Sequence, residues 1–257
     1  ARRCGAQRHA RFAGTRADPD VPKRKGITYF LVDMHAPGVT VRPLRHITGE
    51  VDFNEVFLDG VRVPDSCRVG GVGEGWKVAG ATLSGERQMV AGSGSGGVDR
   101  IGGSSAGRLL ELARRGRRLD PVTRQRLVAL WSEERIREWT NMRVRAGLRA
   151  GRPPGPESSI GKVHQGELNQ RIQLLASDLL GAGALAWEAP GAGGGQGPEA
   201  YAAALPYEVK GMLRSRANTI EGGTTEVNKN VVGERVLGLP REPDPYRDVP
   251  WREVPRG

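Results

Sequence analysis

The hydrophobic period of this 257-residue chain changes after Pro64, from an alternation suited to strands to a 3.6-residue repeat suited to helices. Before that point, residues 26–33 (GITYFLVD) are rich in β-branched and aromatic side chains, and residues 39–43 alternate. Residues 52–63 read as two short strands around an Asp59-Gly60 turn. Beyond a glycine hinge at residues 70–75, helical periods predict helices over 76–91, 108–115, 121–149, 159–180 and 200–218, and a last helix after Thr225. Asp120-Pro121 is a strong helix start, with a carboxylate cap and proline at the first helical position. Leu127, Leu130 and Trp131 share one face, as do Trp139, Met142 and Ala146, and both stripes read as core. The class predicted is α+β, an antiparallel β module followed by a helical bundle. Its parts are an irregular basic arm (1–16), a β portion (17–70), a bundle (71–242) and a tail (243–257).

Composition narrows the function classes. The net charge of +10 admits an acidic partner, yet the arginines are scattered through helical segments and aromatic residues make up only 5%. Few stacking platforms are left for a nucleic acid, so a basic helical nucleic-acid binder stands as a rival rather than the leading reading. Cys4 and Cys67 lie far apart without ligand spacing and the four histidines are isolated, which argues against a metal site or a disulfide framework and fits a cytoplasmic protein. No run approaches the ~18 apolar residues of a membrane span. Residues 92–97 fit G-x-G-x-x-G, but they follow a helix rather than a strand, so the dinucleotide reading fails.

Residues 219–241 (TIEGGTTEVNKNVVGERVLGLPR) carry the sharpest local signal. Glu221-Gly222-Gly223 is a turn with an acid, and Thr224-Thr225 offer hydroxyls to cap the helix announced by Val227, Val231, Val232 and Val236. Unpaired N–H groups at such a helix start suit an anionic or carbonyl-rich ligand, and paired glycines allow close backbone approach. An ordinary glycine turn before a surface helix fits the same letters.

The stretch resembles the closing signature of the acyl-CoA dehydrogenase family, in which a loop with Gly-Gly-Thr-Ser precedes a helix ending Glu-Arg-x-Leu-Gly-Leu-Pro. Gly26, Ile27, Thr28, Phe30 and Val32, then Phe53, Glu55, Val56, Asp59, Val61, Arg62, Val63 and Pro64, resemble strands of that family's β domain. The resemblance covers about residues 17–242. It implies FAD-dependent α,β-desaturation of an acyl-CoA thioester, an electron-transfer flavoprotein-like acceptor, and assembly into homo- or hetero-oligomers. Such chemistry needs a carboxylate base for the α proton and a flavin for the β hydride. On the first bundle helix, LSGERQMV resembles the Glu-Arg arrangement that places the base at Glu86, with Arg87 supporting the site. In the loop, Gly222 stands where other members keep a base, and Glu221 is one position early, the alternative candidate. The resemblance implies flavin contacts at Thr224 and Glu226, and at Gly181 and Gly183 toward a neighbouring subunit's flavin. Arg124 is the candidate replacement for a cation of the family's Arg-x-x-Phe-Gly segment, which residues 116–124 lack.

Two parts of the family pattern find no counterpart here: the amino-terminal helical domain and most of the first half of the β domain. The chain thus reads as an acyl-CoA dehydrogenase-like flavoprotein impaired by truncation. Its non-enzymatic rival is a fragment or companion subunit that assembles through the bundle without turnover of its own.

Overall fold

The computed structural model describes residues 10–90, 105–115, 119–152, 155–185 and 205–255, with backbone only for residue 10 and for residues 84–90. It is α+β and divides into two compact units. One comprises residues 1–44, 53–85 and 241–257, the other residues 45–52 and 86–240.

In the first unit, β1 (Ala10–Arg16), β2 (Ile27–Asp33) and β5 (Arg68–Val69) form an antiparallel sheet in the order β1-β2-β5. Thr28 and Val32 of β2 alternate inward and are 1% and 4% exposed, as the period of residues 26–33 predicts. The irregular reading of residues 1–16 is corrected for its second half. Ala10–Arg16 is a strand because β2 supplies a complete ladder, Ala10 opposite Asp33 through Arg16 opposite Ile27, which the arm's own composition does not reveal. Phe12 stacks on Tyr29 across that ladder, ring centroids 5.5 Å apart.

A hairpin pairs β3 (Val39–Leu44) with β4 (Phe53–Leu58). The second strand expected after Asp59-Gly60 does not form: Gly60 turns with φ +60°, and residues 61–64 run on without a ladder among the described residues. The cysteine reading is likewise corrected, since Cys67 is disulfide-bonded; separation along the chain does not measure separation in space. The carboxyl-terminal residues, read as a tail, fold onto this unit. The Trp251 and Arg252 N–H groups donate to the carbonyls of Val21 and Pro19 at 3.0 and 3.1 Å, and the Arg16 guanidinium lies 4.2 Å over the Trp251 ring.

The helices are α1 (Gly75–Val90), α2 (Ala106–Arg115), α3 (Pro121–Arg149), α4 (Ser158–Leu180), α5 (Tyr207–Arg214) and α6 (Thr225–Val231). Sequence boundaries for α1 to α4 hold within one or two residues; α5 starts later than the period suggested, behind Pro206, and residues 92–97 and 191–197 fall outside the described residues. Asp120 caps α3 as expected, its Oδ1 accepting from the N–H groups of Val122 and Thr123 at 2.9 and 3.0 Å. The core of the second unit is Leu109 of α2, Leu127 and Leu130 of α3, and Leu168, Ile172, Leu175 and Ala176 of α4. Trp131, Trp139 and Met142 are corrections to the core reading: they are 44%, 61% and 62% exposed. Their stripe lies roughly 100° around α3 from the face that Leu127 and Leu130 bury, one helical step at 3.6 residues per turn. Among the described residues, no helix is long and apolar enough to cross a membrane.

Candidate functional site

The loop between α5 and α6 is shaped from both ends. After a 3-10 turn (Ser215–Thr219), Gly222 and Gly223 take φ of +63° and +87°, a left-handed pair that only glycine adopts without strain. Thr224 then returns to extended backbone as the cap of α6, and its hydroxyl accepts from the Val227 N–H at 3.2 Å. Asn228, 1% exposed, holds the reversal from within, its Nδ2 donating to the carbonyls of Gly223 and Thr224 at 2.9 Å each. The cap and the glycine turn are those expected from the GGTT letters.

On the upstream side the loop is bound to α4 by a buried polar cluster. Asn218 is 6% exposed and uses every polar group of its side chain and its carbonyl. Its carbonyl accepts from Lys162 Nζ, its Oδ1 accepts from Asn169 Nδ2 at 2.6 Å, and its Nδ2 donates to Glu221 Oε1 at 3.0 Å. The other oxygen of Glu221 accepts from Arg214 Nη2 at 3.1 Å. Gln170 adds a bond to the Thr219 hydroxyl at 3.0 Å. Lys162 is 3% exposed; burial pulls its amine below the usual lysine pKa, and the negative charge of Glu221 pulls the other way. Gly166 lets the two segments meet, since a β-carbon there would lie 2.8 Å from the Asn218 carbonyl oxygen.

The expected site residues distribute as follows. Glu86 and Arg87 lie on the last turns of α1, where only the backbone is described. Glu221 is a clamped carboxylate, its side chain 25% exposed and tied to Arg214 and Asn218. Thr224 caps α6 and Glu226 is exposed on its first turn. Gly181 and Gly183 stand exposed in the 3-10 turn closing α4, with open space where a β-carbon would project. Arg124 is exposed on the first turn of α3, two residues before Arg126, whose Nη2 reaches Asp178 at 2.9 Å. The start of α3 and the end of α4 therefore meet, bringing Arg124 to the same end of the bundle as Gly181 and Gly183. The loop does not join them there: it packs at Gly166, about 22 Å along α4 from Gly181 at 1.5 Å per residue.

The exposed Arg124 and Glu226 are of opposite charge, and Gly181 and Gly183 present backbone without side chains. The residues missed from sequence are Lys162, Asn169, Asn218 and Arg214. One signal for the first two was present: Lys162, Gln165, Asn169 and Gln173 recur at helical spacing, and all four are buried.

Comparison with known proteins shows which family the chain resembles. Residues 73–237 match the family model described as acyl-CoA dehydrogenase, C-terminal domain. The chain is 36% identical over 226 residues to "Acyl-CoA dehydrogenase FadE34" of Mycobacterium tuberculosis, covering 88% of this chain and 28% of that protein. It is 32% identical over 243 residues to "Acyl-CoA dehydrogenase IpdE1" of the same organism, covering 90% and 55% respectively. Among solved structures, "Tcur3481-Tcur3483 steroid ACAD" superposes with a TM-score of 0.72 at 26% identity, over 91% of this chain and 57% of that one. The chain thus spans between about a quarter and somewhat over half the length of these relatives.

Proposed function

The chain belongs to the acyl-CoA dehydrogenase family, and on that premise we propose that it is the β-and-bundle portion of a flavoprotein that introduces an α,β double bond into an acyl-CoA thioester. The observation that carries this reading is the loop of residues 219–226, whose left-handed glycine pair and capped helix lie inside the matched segment. Bound FAD supplies the acceptor for the β hydride. Glu86 takes the α proton, and Arg87 supports it from the next position of α1. Glu221, with both oxygens accepting bonds from Arg214 and Asn218, orients the loop instead of taking the α proton. Thr224 and Glu226 hold one flavin; Gly181, Gly183 and Arg124 face the flavin of a neighbouring subunit. The rise of roughly 22 Å along α4 from Gly166, where the loop packs, to Gly181 supports that division.

The electron acceptor is an electron-transfer flavoprotein-like partner. The substrate is a fatty or steroid side-chain thioester, and the likeness to a structure titled as a steroid enzyme favours the steroid. The reading is tested on protein expressed from the complete reading frame that contains this sequence. Flavin absorbance that bleaches on adding acyl-CoA thioesters, steroid side-chain thioesters at the lowest concentrations, is the expected result. Protein that stays colourless after reconstitution with FAD overturns it. A second reading, a companion subunit without turnover, draws on the share of its relatives that the chain spans. It predicts assembly with a flavin-bearing partner and no bleaching by the chain alone.

A further inference from the structure

On the reading that the loop of residues 219–226 helps to hold a flavin, we infer that Lys162 is the positioning residue of that loop, fixing it through the carbonyl of Asn218. A lysine that is 3% exposed is rare unless something specific holds it. Here the amine donates to a backbone carbonyl four residues ahead of the left-handed Gly222-Gly223 pair, so it constrains the chain rather than another side chain.

Three features make the contact directional. Gly166 removes the side chain that would keep α4 and the Asn218 carbonyl apart. Asn169 grips the Asn218 side chain at 2.6 Å and thereby sets where its carbonyl points. Glu221, pinned by Arg214 and by Asn218 Nδ2, supplies the negative charge that a buried ammonium requires. Downstream, Thr224 and Asn228 fix the start of α6. The glycine pair is therefore clamped on both sides, and Lys162 is the cationic clamp on α4, beside Asn169 and Gln170. An apolar residue at 162 could fill the volume, but it would leave the Asn218 carbonyl buried without its donor.

The test uses the full flavoprotein and two readouts. In Lys162→Met, amide hydrogen exchange across residues 219–224 is expected to accelerate at least tenfold while segments around Leu109 and Leu175 keep their protection, and FAD is expected to bind about tenfold more weakly. The two charges are also expected to be coupled, so that Glu221→Gln accelerates loop exchange less in the Lys162→Met background than in the wild-type protein. Unchanged loop exchange in Lys162→Met, or strictly additive effects of the two substitutions, overturns the inference. Should Lys162→Met fail to fold, Lys162→Gln carries the test: it keeps a polar side chain but is too short to place its amide where the ammonium lies, and loop exchange that stays at the wild-type rate overturns the inference equally. Failure of the functional reading is distinguishable, since wild-type protein that never binds FAD removes that reading while loop exchange still decides the role of Lys162.

Discussion

Glu86 and Glu221 are the two carboxylates offered for the base, and the proposal gives them different work. Glu221 has committed one oxygen to Asn218 and the other to Arg214, so its orientation is set by the loop it holds. Glu86 belongs to α1 and is followed directly by Arg87, the arrangement that the family resemblance assigns to the base. Single-turnover reduction of the flavin by substrate separates them. Glu86→Gln should slow it by about a hundredfold to ten-thousandfold, the range for loss of a general base, with little effect on folding. Glu221→Gln should cost about tenfold or less, through a loosened loop rather than a lost proton acceptor. The reverse ranking places the base in the loop. At this scale the letters GGTT gave away the turn and the cap, because both are made by residues adjacent in sequence. Lys162 escaped because its partner, Asn218, lies 56 residues away and a lysine in a helical period is ordinarily solvated.

Among the elements, α4 does the most. One face contributes Leu168, Ile172, Leu175 and Ala176 to the core, and another offers Lys162, Gln165, Asn169 and Gln173 as buried polar groups. Its glycines differ in a way that stability measurements can read. Gly166→Ala forces a β-carbon to 2.8 Å from the Asn218 carbonyl oxygen, a backbone atom that cannot swing aside as a side chain can. The expected cost is about 1–3 kcal/mol in urea unfolding, as for other overpacked sites. Gly183→Ala meets open space and should leave unfolding unchanged, while weakening FAD binding if a neighbour's flavin lies against that turn. Equal destabilisation by the two substitutions contradicts this account of α4. Helix boundaries were legible because their determinants are local, Asp120-Pro121 for α3 above all. The arm was not: β1 is made a strand by seven partners in β2, and neither the Asp59-Gly60 turn nor the disulfide at Cys67 can be judged without knowing what lies beside it.

At the scale of the whole molecule, the outer stripe of α3 is an unanswered demand for burial among the described residues. Val128, Trp131, Trp139 and Met142 recur at helical spacing and are between 44% and 62% exposed, with Arg135 among them 5.7 Å from the Trp131 ring centroid. Sequence periodicity identified Trp131, Trp139 and Met142 as apolar-face residues but assigned them to a core within the chain. The error is physical rather than statistical, because a helix face meant for another subunit carries the same pattern as one meant for its own core. Two tryptophans and a methionine on one long helix, about 43 Å at 1.5 Å per residue, are a surface that a second chain can cover. The chain is therefore expected to self-associate through α3, or to pair there with a relative of like fold, and Trp139→Glu with Met142→Glu should shift it to a smaller species without changing its helix content. By contrast, a flavin site built partly from segments of relatives that this chain does not span should be incomplete, so weak FAD binding and little dehydrogenase activity are expected from the 257 residues alone. Light scattering on the eluting protein decides the first expectation and flavin titration the second. A monodisperse monomer from the unaltered chain removes the assembly role of α3, and stoichiometric FAD with turnover matching a full-length relative shows that the flavin site is complete without the other segments.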